Sequence, residues 1–249
     1  MDLRNGDCLE LMKDLNDNSV DLMFADLPYA ATQLEWDILI DLELFWKEIN
    51  RVCKDDAPMI FTCTTKFGNS LINSNPKNFR YDIIFVKSAS TGFLNSKKAP
   101  LRKHENIYIF YRKLPKVYTE NIALHHQHKF LNANKIRDTN NYTNNSVLYG
   151  NIKRPDCMRK NNESMYNPPL PNSILEIKSE KGKHATQKPV PLMEWILKYY
   201  SREGDVVLDP TMGSGSMGVA CINMNRLFIG IEKDEAIFDI AFNRLNIEV

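Results

Sequence analysis

The chain has 249 residues, of which 43% are hydrophobic and 25% are charged, and its formal net charge at pH 7 is +1. These values are ordinary for a globular protein, and no apolar run approaches the roughly 18 residues that a membrane-spanning helix needs. The polar start, MDLRNGDCLE, does not fit a secretory signal, so we expect a cytoplasmic protein. Its five cysteines form no Cys-x-x-Cys pair, which predicts reduced thiols and no bound metal.

The positive charge is concentrated in the middle of the chain. Residues 97–183 contain 17 Lys and Arg against 7 Asp and Glu, whereas the remainder is acidic. This asymmetry predicts a polyanionic partner for the basic segment. Charge alone leaves open a solvated basic face without a partner.

Short apolar runs alternate with segments of helical spacing along most of the chain. The runs predict strands at Val20–Ala25, Met59–Cys63, Tyr81–Val86, Asn106–Tyr111, Val206–Asp209 and Phe228–Glu232. The helical spacing predicts helices at Asp41–Cys53, Val190–Tyr200, Gly215–Met224 and Ala236–Leu245. Strands alternating with helices favour an α/β fold with a parallel sheet covered on both faces.

Residues 113–183 break this pattern, because they are rich in Asn, Lys, Pro and Tyr and have no sustained periodicity. We therefore predict one α/β domain made of residues 1–112 and 184–249. Residues 113–183 are predicted to be an insert between the two parts of that domain.

A glycine-rich loop near the C-terminus has the pattern of a nucleotide site. The strand ending in Asp209 is followed by Gly213, Gly215 and Gly218, and the next strand ends in Glu232. Such glycines let the backbone approach a ligand, and such an acid accepts ribose hydroxyls.

The loop alone fits NAD or FAD, and an NAD-dependent oxidoreductase is one alternative. A carboxylate at Asp209 would repel a pyrophosphate and favours the cationic S-adenosylmethionine, whose ribose Glu232 could bind. Only 17 residues follow Glu232, so the remaining strands must come from earlier in a permuted chain.

The segment before the glycine loop predicts an anion site. Pro189 suits the first turn of a helix, and a helix N-terminus binds anions. Thr186, Gln187 and Lys188 are therefore candidates to hold the carboxylate of the methionine moiety. A simple helix cap is the alternative.

Four motifs in this order resemble β-class amino-group DNA methyltransferases, which modify adenine N6 or cytosine N4. Asp26–Tyr29 resembles their D/S-P-P-Y corner, and 113–183 falls where they carry a variable target-recognition region. Thr186–Pro189 resembles their T-x-K-P helix start, and Asp209–Ser216 their glycine loop. Gly6–Asp7 is similar to the segment that contacts the adenine of the cofactor, which makes Asp7 a cofactor-binding candidate.

The resemblance implies a Rossmann-like S-adenosylmethionine-dependent methyltransferase sheet, circularly permuted, with a small inserted target-recognition region. It implies site-specific methyl transfer from S-adenosyl-L-methionine to adenine N6 in duplex DNA, because Asp at the first corner position favours adenine. Cytosine N4, an RNA substrate and a catalytically inactive DNA-binding paralogue are the alternatives.

The chemistry of an aromatic amine explains the corner. Its nitrogen is a poor nucleophile because the lone pair is delocalised, and acceptors for both N–H groups free that lone pair. Asp26 and the backbone carbonyl of Leu27 can supply them, and Pro28 fixes the corner. Tyr29 offers a face on which an extruded base can stack. Leu27 replaces the family's usual proline, which leaves the carbonyl in place.

Lys97, Lys98, Arg102 and Lys103 are predicted to face DNA phosphates. A homodimer and a cognate restriction enzyme remain open as partners. The resemblance places the protein near the nucleoid of a prokaryotic or phage-infected cell.

Overall fold

The computed structural model describes residues 1–28, 40–93, 96–115, 145–146, 150–151, 172–178 and 187–247. The strands are β1 (Asp2–Asn5), β2 (Leu22–Ala25), β3 (Met59–Cys63), β4 (Phe79–Thr91), β5 (Arg102–Phe110), β6 (Asn145–Ser146), β7 (Gly150–Asn151), β8 (Ile174–Ile177), β9 (Val206–Asp209) and β10 (Leu227–Glu232). The α-helices are α1 (Cys8–Leu11), α2 (Leu42–Val52), α3 (Thr65–Ser74), α4 (Val190–Tyr200), α5 (Ser216–Asn223) and α6 (Glu235–Ile247). A 3-10 turn covers Met12–Asp14.

Eight strands form one sheet in the order β1-β10-β9-β2-β3-β5-β4-β8, and β6 and β7 pair separately. The pairs from β1 through β3 are all parallel, and so is the pair of β4 with β8. The last two strands of the chain, β9 and β10, therefore lie between β1 and β2. This placement is the permuted order that the short C-terminal remainder predicts.

The prediction of a parallel sheet is wrong for β5, which is antiparallel to both β3 and β4. The physical reason is the connection: β4 and β5 are adjacent in the chain and form a long hairpin, which reverses direction. Because β5 separates β3 from β4, the two outer strands β4 and β8 regain the direction of the parallel part.

The strand β8 lies within residues 113–183 yet extends the main sheet. Ile84 of β4 is in register with Ile174, and Lys87 with Ile177. Leu175 is buried against the core. Most of the rest of 113–183 lies outside the described residues, so the division into a domain and an insert remains a prediction.

The sheet is covered on both faces, as predicted. Along β2, Leu22 and Phe24 belong to the core that contains residues of α4, α5 and α6. Met23 and Ala25 belong to the core that contains residues of α1, α2 and α3. Successive side chains point to opposite faces of a strand, so burial on both sides accounts for the continuous apolar run.

Helix α2 illustrates how local sequence sets an element. Asp41 caps its N-terminus by accepting hydrogen bonds from the backbone N–H groups of Glu43 and Leu44. Phe45 and Ile49 lie on the stripe that is buried against the sheet. None of the described helices is long and apolar enough to span a bilayer.

Gly68 lets α3 lie directly against the aromatic ring of Tyr108 on β5. A Cβ atom built on Gly68 would lie 2.3–2.5 Å from three atoms of that side chain. The ring is buried, and its hydroxyl accepts a 2.7 Å hydrogen bond from Asn106 Nδ2. It therefore cannot easily move away.

Gly68→Ala should lower the free energy of unfolding by about 1–3 kcal/mol, the usual cost of overpacking a core. The better helix propensity of alanine offsets at most about 1 kcal/mol of this. Urea unfolding measures the effect. Ser70→Ala, at an exposed position on the same helix, should stay within about 0.5 kcal/mol of the parent, and equal stability of the two variants would contradict this packing.

Candidate active site

The carboxyl ends of neighbouring parallel strands bring acidic side chains from distant parts of the chain to one edge of the sheet. Asp7 follows β1, Glu232 ends β10, Asp209 ends β9 and Asp26 follows β2. Glu105 lies near the start of β5 and reaches the same edge because that strand runs the opposite way. Ligands of open α/β sheets bind at this edge.

The glycine loop connects β9 to α5 through two left-handed residues. Gly213 has a φ of 52° and Gly215 a φ of 78°, values that side chains rarely permit. Helix α5 begins at Ser216, one residue later than predicted, with Gly215 as its N-cap. A Cβ atom at Gly213 would meet nothing within 4 Å, so this face of the loop is open to a ligand.

Glu232 is fixed beneath the glycine loop by backbone groups. Its Oε2 accepts a 3.0 Å hydrogen bond from the Gly213 N–H, and its Oε1 accepts one of 2.9 Å from the Asp234 N–H. Burial raises the pKa of the Glu232 carboxyl, and these amide hydrogen bonds oppose that rise. Each oxygen keeps a further lone pair, so the carboxylate can still accept hydrogen bonds from ribose hydroxyls.

Asp209 is a buried acid without an ion pair in the described part of the chain. It is 3% exposed, and its Oδ1 accepts a 3.1 Å hydrogen bond from the Thr211 N–H. Burial raises the pKa of Asp209 well above its usual value. The hydroxyl of Thr211 is also buried without a hydrogen-bond partner among the described residues. A cationic ligand with polar groups would complement both side chains.

Asp7 has local partners at the start of α1. It caps the helix by accepting a 2.9 Å hydrogen bond from the Leu9 N–H, and it forms a 3.0 Å ion pair with Lys233. Its contact with the adenine of a cofactor therefore remains a prediction.

Asp26 occupies the corner after β2, where both of its carboxylate oxygens are engaged. Oδ1 accepts a 2.7 Å hydrogen bond from the hydroxyl of Thr62, and Oδ2 a 2.5 Å hydrogen bond from Lys188 Nζ. The Leu27 side chain is only 2% exposed and packs in the core with α2 and α3. Leucine at this position thus anchors the corner to the core. Pro28 is half-buried, and Tyr29 lies outside the described residues.

The segment before α4 ties the corner to the glycine loop. The backbone carbonyl of Lys188 accepts a 2.8 Å hydrogen bond from Ser216 Oγ in the first turn of α5. Its ammonium contacts Asp26 and lies 3.5 Å from Glu105. Thr186 lies outside the described residues. The role of Gln187 and Lys188 in holding a cofactor carboxylate remains a prediction.

Thr62, Glu105 and Lys87 are site residues that sequence reasoning missed. Glu105 accepts a 3.0 Å hydrogen bond from Lys87 Nζ across the β4–β5 hairpin. Burial alone would raise the pKa of Glu105, but Lys188 and Lys87 outweigh it and lower that pKa. In the sequence, these positions show only a polar residue within or beside an apolar run. That pattern is too common to identify a site residue.

The predicted DNA-facing residues lie where the β4–β5 hairpin turns at the same edge. Lys97, Lys98 and Lys103 are exposed. Arg102 donates a 3.3 Å hydrogen bond to the hydroxyl of Thr65. The placement gives these cations access to a ligand approaching Asp26, and their contact with phosphate remains a prediction.

The thiol of Cys63, close to Asp26, is not a nucleophile. Burial, with the Asp26 charge adding to it, raises the pKa of Cys63 to about 12, so it stays protonated at neutral pH. Within the described ranges, no group of three His, Cys, Asp or Glu side chains could hold a metal ion.

The sequence matches the DNA methylase family of the N6/N4 type over residues 20–243. Type II methyltransferase M.HinfI of Haemophilus influenzae is 27% identical over 96% of this chain and 67% of its own length. DNA adenine methyltransferase YhdJ of Escherichia coli (strain K12) is 27% identical over 98% of this chain and 82% of its own. With M.HindIII of Haemophilus influenzae the match is 42% identical but spans 31% of this chain and 26% of that protein.

Solved structures have the same fold. The M1.HpyAVI–SAM complex has a TM-score of 0.64 at 24% identity and covers 98% of both chains. PvuII DNA methyltransferase, which is cytosine-N4-specific, has a TM-score of 0.64 at 15% identity over 98% of this chain and 92% of its own. The fold is thus the Rossmann-like α/β sheet of S-adenosylmethionine-dependent DNA methyltransferases. The chain belongs to the N6/N4 DNA methylase family, as its motif order indicates.

Asp209→Asn should separate ligand binding from stability. The amide keeps an acceptor for the Thr211 N–H but cannot ionise, so the variant should melt at a higher temperature than the parent at pH values above the folded-state pKa of Asp209. Binding of S-adenosylmethionine, measured by calorimetry, should weaken about 10- to 150-fold, the cost of losing a hydrogen bond with charge worth 1.5–3 kcal/mol.

The pH dependence of melting provides the control. The pKa of Asp209 is higher in the folded than in the unfolded state, so its unfavourable contribution appears as the pH rises through the folded-state value. The stability gain of Asp209→Asn should therefore shrink as the pH falls through that value. A gain that is independent of pH would contradict a buried charge at Asp209.

Proposed function

We propose that the protein is a site-specific DNA methyltransferase that transfers a methyl group from S-adenosyl-L-methionine to adenine N6 in duplex DNA. One observation carries this proposal. Asp26 and the glycine loop extend from β2 and β9, which are adjacent and parallel, so the amine acceptor and the cofactor site lie side by side. The family and its bacterial relatives support DNA as the substrate.

The residues at the cofactor site fit S-adenosylmethionine, which when bound supplies an electrophilic methyl group on a sulfonium. Asp209 offers a buried negative charge to a cation, and the open face of Gly213 admits a nucleoside beside Glu232. NAD fits less well, because its pyrophosphate would meet the carboxylate of Asp209 near the loop.

The chain's role in the transfer is mainly to position the amine. Asp26 accepts one N–H of the target amino group, and the backbone carbonyl of Leu27 is assigned the other. These acceptors free the nitrogen lone pair for the methyl group that bound S-adenosylmethionine would supply, and the surplus proton of the methylated amine would leave along its hydrogen bond to Asp26 and pass to solvent. Positioning of this kind supplies a large part of an enzyme's rate, and the protonated Cys63 takes no part.

The target base must leave the duplex before its amino group can reach Asp26. Tyr29 is assigned as the surface on which the extruded base stacks. Residues 113–183 are assigned to target recognition. A homodimer and a cognate restriction enzyme would be compatible with this role.

Cytosine N4 is the second candidate, because a cytosine-N4-specific enzyme has the same fold. Adenine is preferred because the corner begins with Asp26, whereas Ser is more frequent among the cytosine enzymes. Mass spectrometry of nucleosides from a host that expresses the protein distinguishes the two products. N6-methyldeoxyadenosine is expected, N4-methyldeoxycytidine would support the second candidate, and neither product would contradict the proposal.

Asp26→Ala should abolish DNA methylation while S-adenosylmethionine binding is retained. The change removes the acceptor for the amine, and Lys188 keeps Glu105 as a partner 3.5 Å away, so the fold should survive. Asp82→Ala, at an exposed position on β4, is the matched control. Turnover near that of the parent in a folded Asp26→Ala protein would refute the assigned role.

Replacing Lys97 and Lys98 with Gln should weaken DNA binding by about the same factor for all sequences, because phosphate contacts position the duplex without reading it. The slope of log affinity against log salt concentration should fall by roughly one to two units. Fluorescence anisotropy measures both effects. Lys47 and Lys77 are also exposed but lie on α2 and before β4, so the same change there should leave the slope unaltered. Equal slopes in both double variants would mean that the hairpin carries no phosphate contact.

A further inference from the structure

Four charged side chains form a continuous row beneath the corner. Asp26 contacts Lys188 at 2.5 Å, Lys188 lies 3.5 Å from Glu105, and Glu105 contacts Lys87 at 3.0 Å. The side chains of Lys188 and Lys87 are only 14% and 17% exposed. The two positive and two negative charges balance, so the row is neutral although it is largely removed from solvent.

The ammonium of Lys188 competes with the proposed substrate for Asp26. Its hydrogen bond occupies Oδ2, and Thr62 occupies Oδ1. The target amine needs a strong acceptor on this carboxylate, whose side chain is 26% exposed and therefore accessible. A cation held on Oδ2 weakens that acceptor and fills part of the space beside it.

Glu105 offers the ammonium a second position. Its Oε1 is held by Lys87, which leaves Oε2 directed toward Lys188. The ammonium can therefore leave Asp26 without becoming an unpaired buried charge, which would be strongly unfavourable. Glu105 itself needs no rearrangement, since Lys87 fixes it independently.

The backbone of Lys188 does not need to move. Its carbonyl accepts a hydrogen bond from Ser216 Oγ, and Pro189, which follows directly, occupies the N-cap position of α4. The same hydroxyl of Ser216 accepts a 3.3 Å hydrogen bond from Arg244. A rotation of the lysine side chain is then sufficient to transfer its ammonium from one carboxylate to the other.

We propose that Lys188 is a movable counter-ion and that Glu105 is a positioning residue for the reaction. In the free enzyme the ammonium rests on Asp26 and keeps that carboxylate oriented. When the target amino group reaches Asp26, the ammonium shifts to Glu105 and frees Oδ2 to accept the N–H. This inference rests on the proposed methyltransferase function.

The first test is Glu105→Gln in single turnovers with enzyme in excess over unmethylated plasmid DNA. The neutral amide attracts the ammonium less, so Lys188 stays on Asp26 and the rate of methyl transfer should fall at least about fivefold. The Kd for S-adenosylmethionine and the KM for DNA should change little, because the proposal assigns Glu105 no contact with either ligand. Asp82→Asn also replaces a carboxylate with an amide, at an exposed position on the same hairpin, and this variant should react like the parent.

The second test repeats the change without the lysine. In a Lys188→Met background the competition is gone, so Glu105→Gln should have no further effect on the rate. The non-additivity should therefore equal the loss that Glu105→Gln causes in the parent, at least about fivefold, which lies within the roughly 2- to 150-fold range found for residues that share one charge network. Lys188→Gln serves as the background if the Met variant melts early.

The outcomes separate the inference from the function on which it rests. Multiplicative effects of the two substitutions, or a Glu105→Gln enzyme as fast as the parent, would overturn the counter-ion shift alone. A large fall in melting temperature with an unchanged single-turnover rate would mean that Glu105 is only structural. A parent enzyme that methylates no DNA would overturn the proposed function together with the shift.

Discussion

The parallel pairing of β9 with β2 is the contact on which the whole site depends. It joins residues 185 positions apart, with Leu22 in register with Val207 and Met23 with Leu208. Asp21 strengthens this junction, because its N–H bonds to the Val206 carbonyl and its side chain accepts from the Val206 N–H. Without this pairing, the corner and the glycine loop would belong to separate halves of the chain.

The junction also concentrates negative charge, which lowers the stability of the fold. Asp209 is buried between Asp26 and Glu232, and both neighbours raise its pKa further after burial itself. A folded domain tolerates such groups where a ligand later compensates them. The free energy of unfolding should therefore depend on whether a ligand is bound in this acidic pocket. A cation bound beside Asp209 should stabilise the fold as well as take part in the reaction.

The sequence predicted the parts of the fold that depend on periodicity. The strands Met59–Cys63 and Val206–Asp209 and the helix Val190–Tyr200 have the predicted bounds. Periodicity carries no information on direction, so the reversal of β5 was not predicted. Short elements such as β1 and α1, and the polar helix α3, were missed because each has too few apolar residues to form a pattern.

The candidate site was predicted only where one continuous motif defines it. Asp26, Gly213 and Glu232 were recognised from their neighbours in the chain, and the structure brings them to one edge. Thr62 and Glu105 come next to Asp26 through pairing between strands, which no local pattern encodes. Lys188 was predicted to hold a cofactor carboxylate, whereas its contacts with Asp26 and Glu105 could not be predicted from its neighbours in the chain.

The strand order divides the ligand-binding edge by charge. Asp7, Glu232, Asp209 and Asp26 follow or end β1, β10, β9 and β2, whereas the exposed lysines lie beyond β3, at the turn between β4 and β5. A small cation is attracted to the first half and a polyanion to the second, so the two proposed substrates approach without competing. Lys188 and Asp26 lie at the boundary between these halves. That boundary is where a base drawn from the polyanion must meet the cation, and it explains why a single lysine contacts carboxylates on both sides.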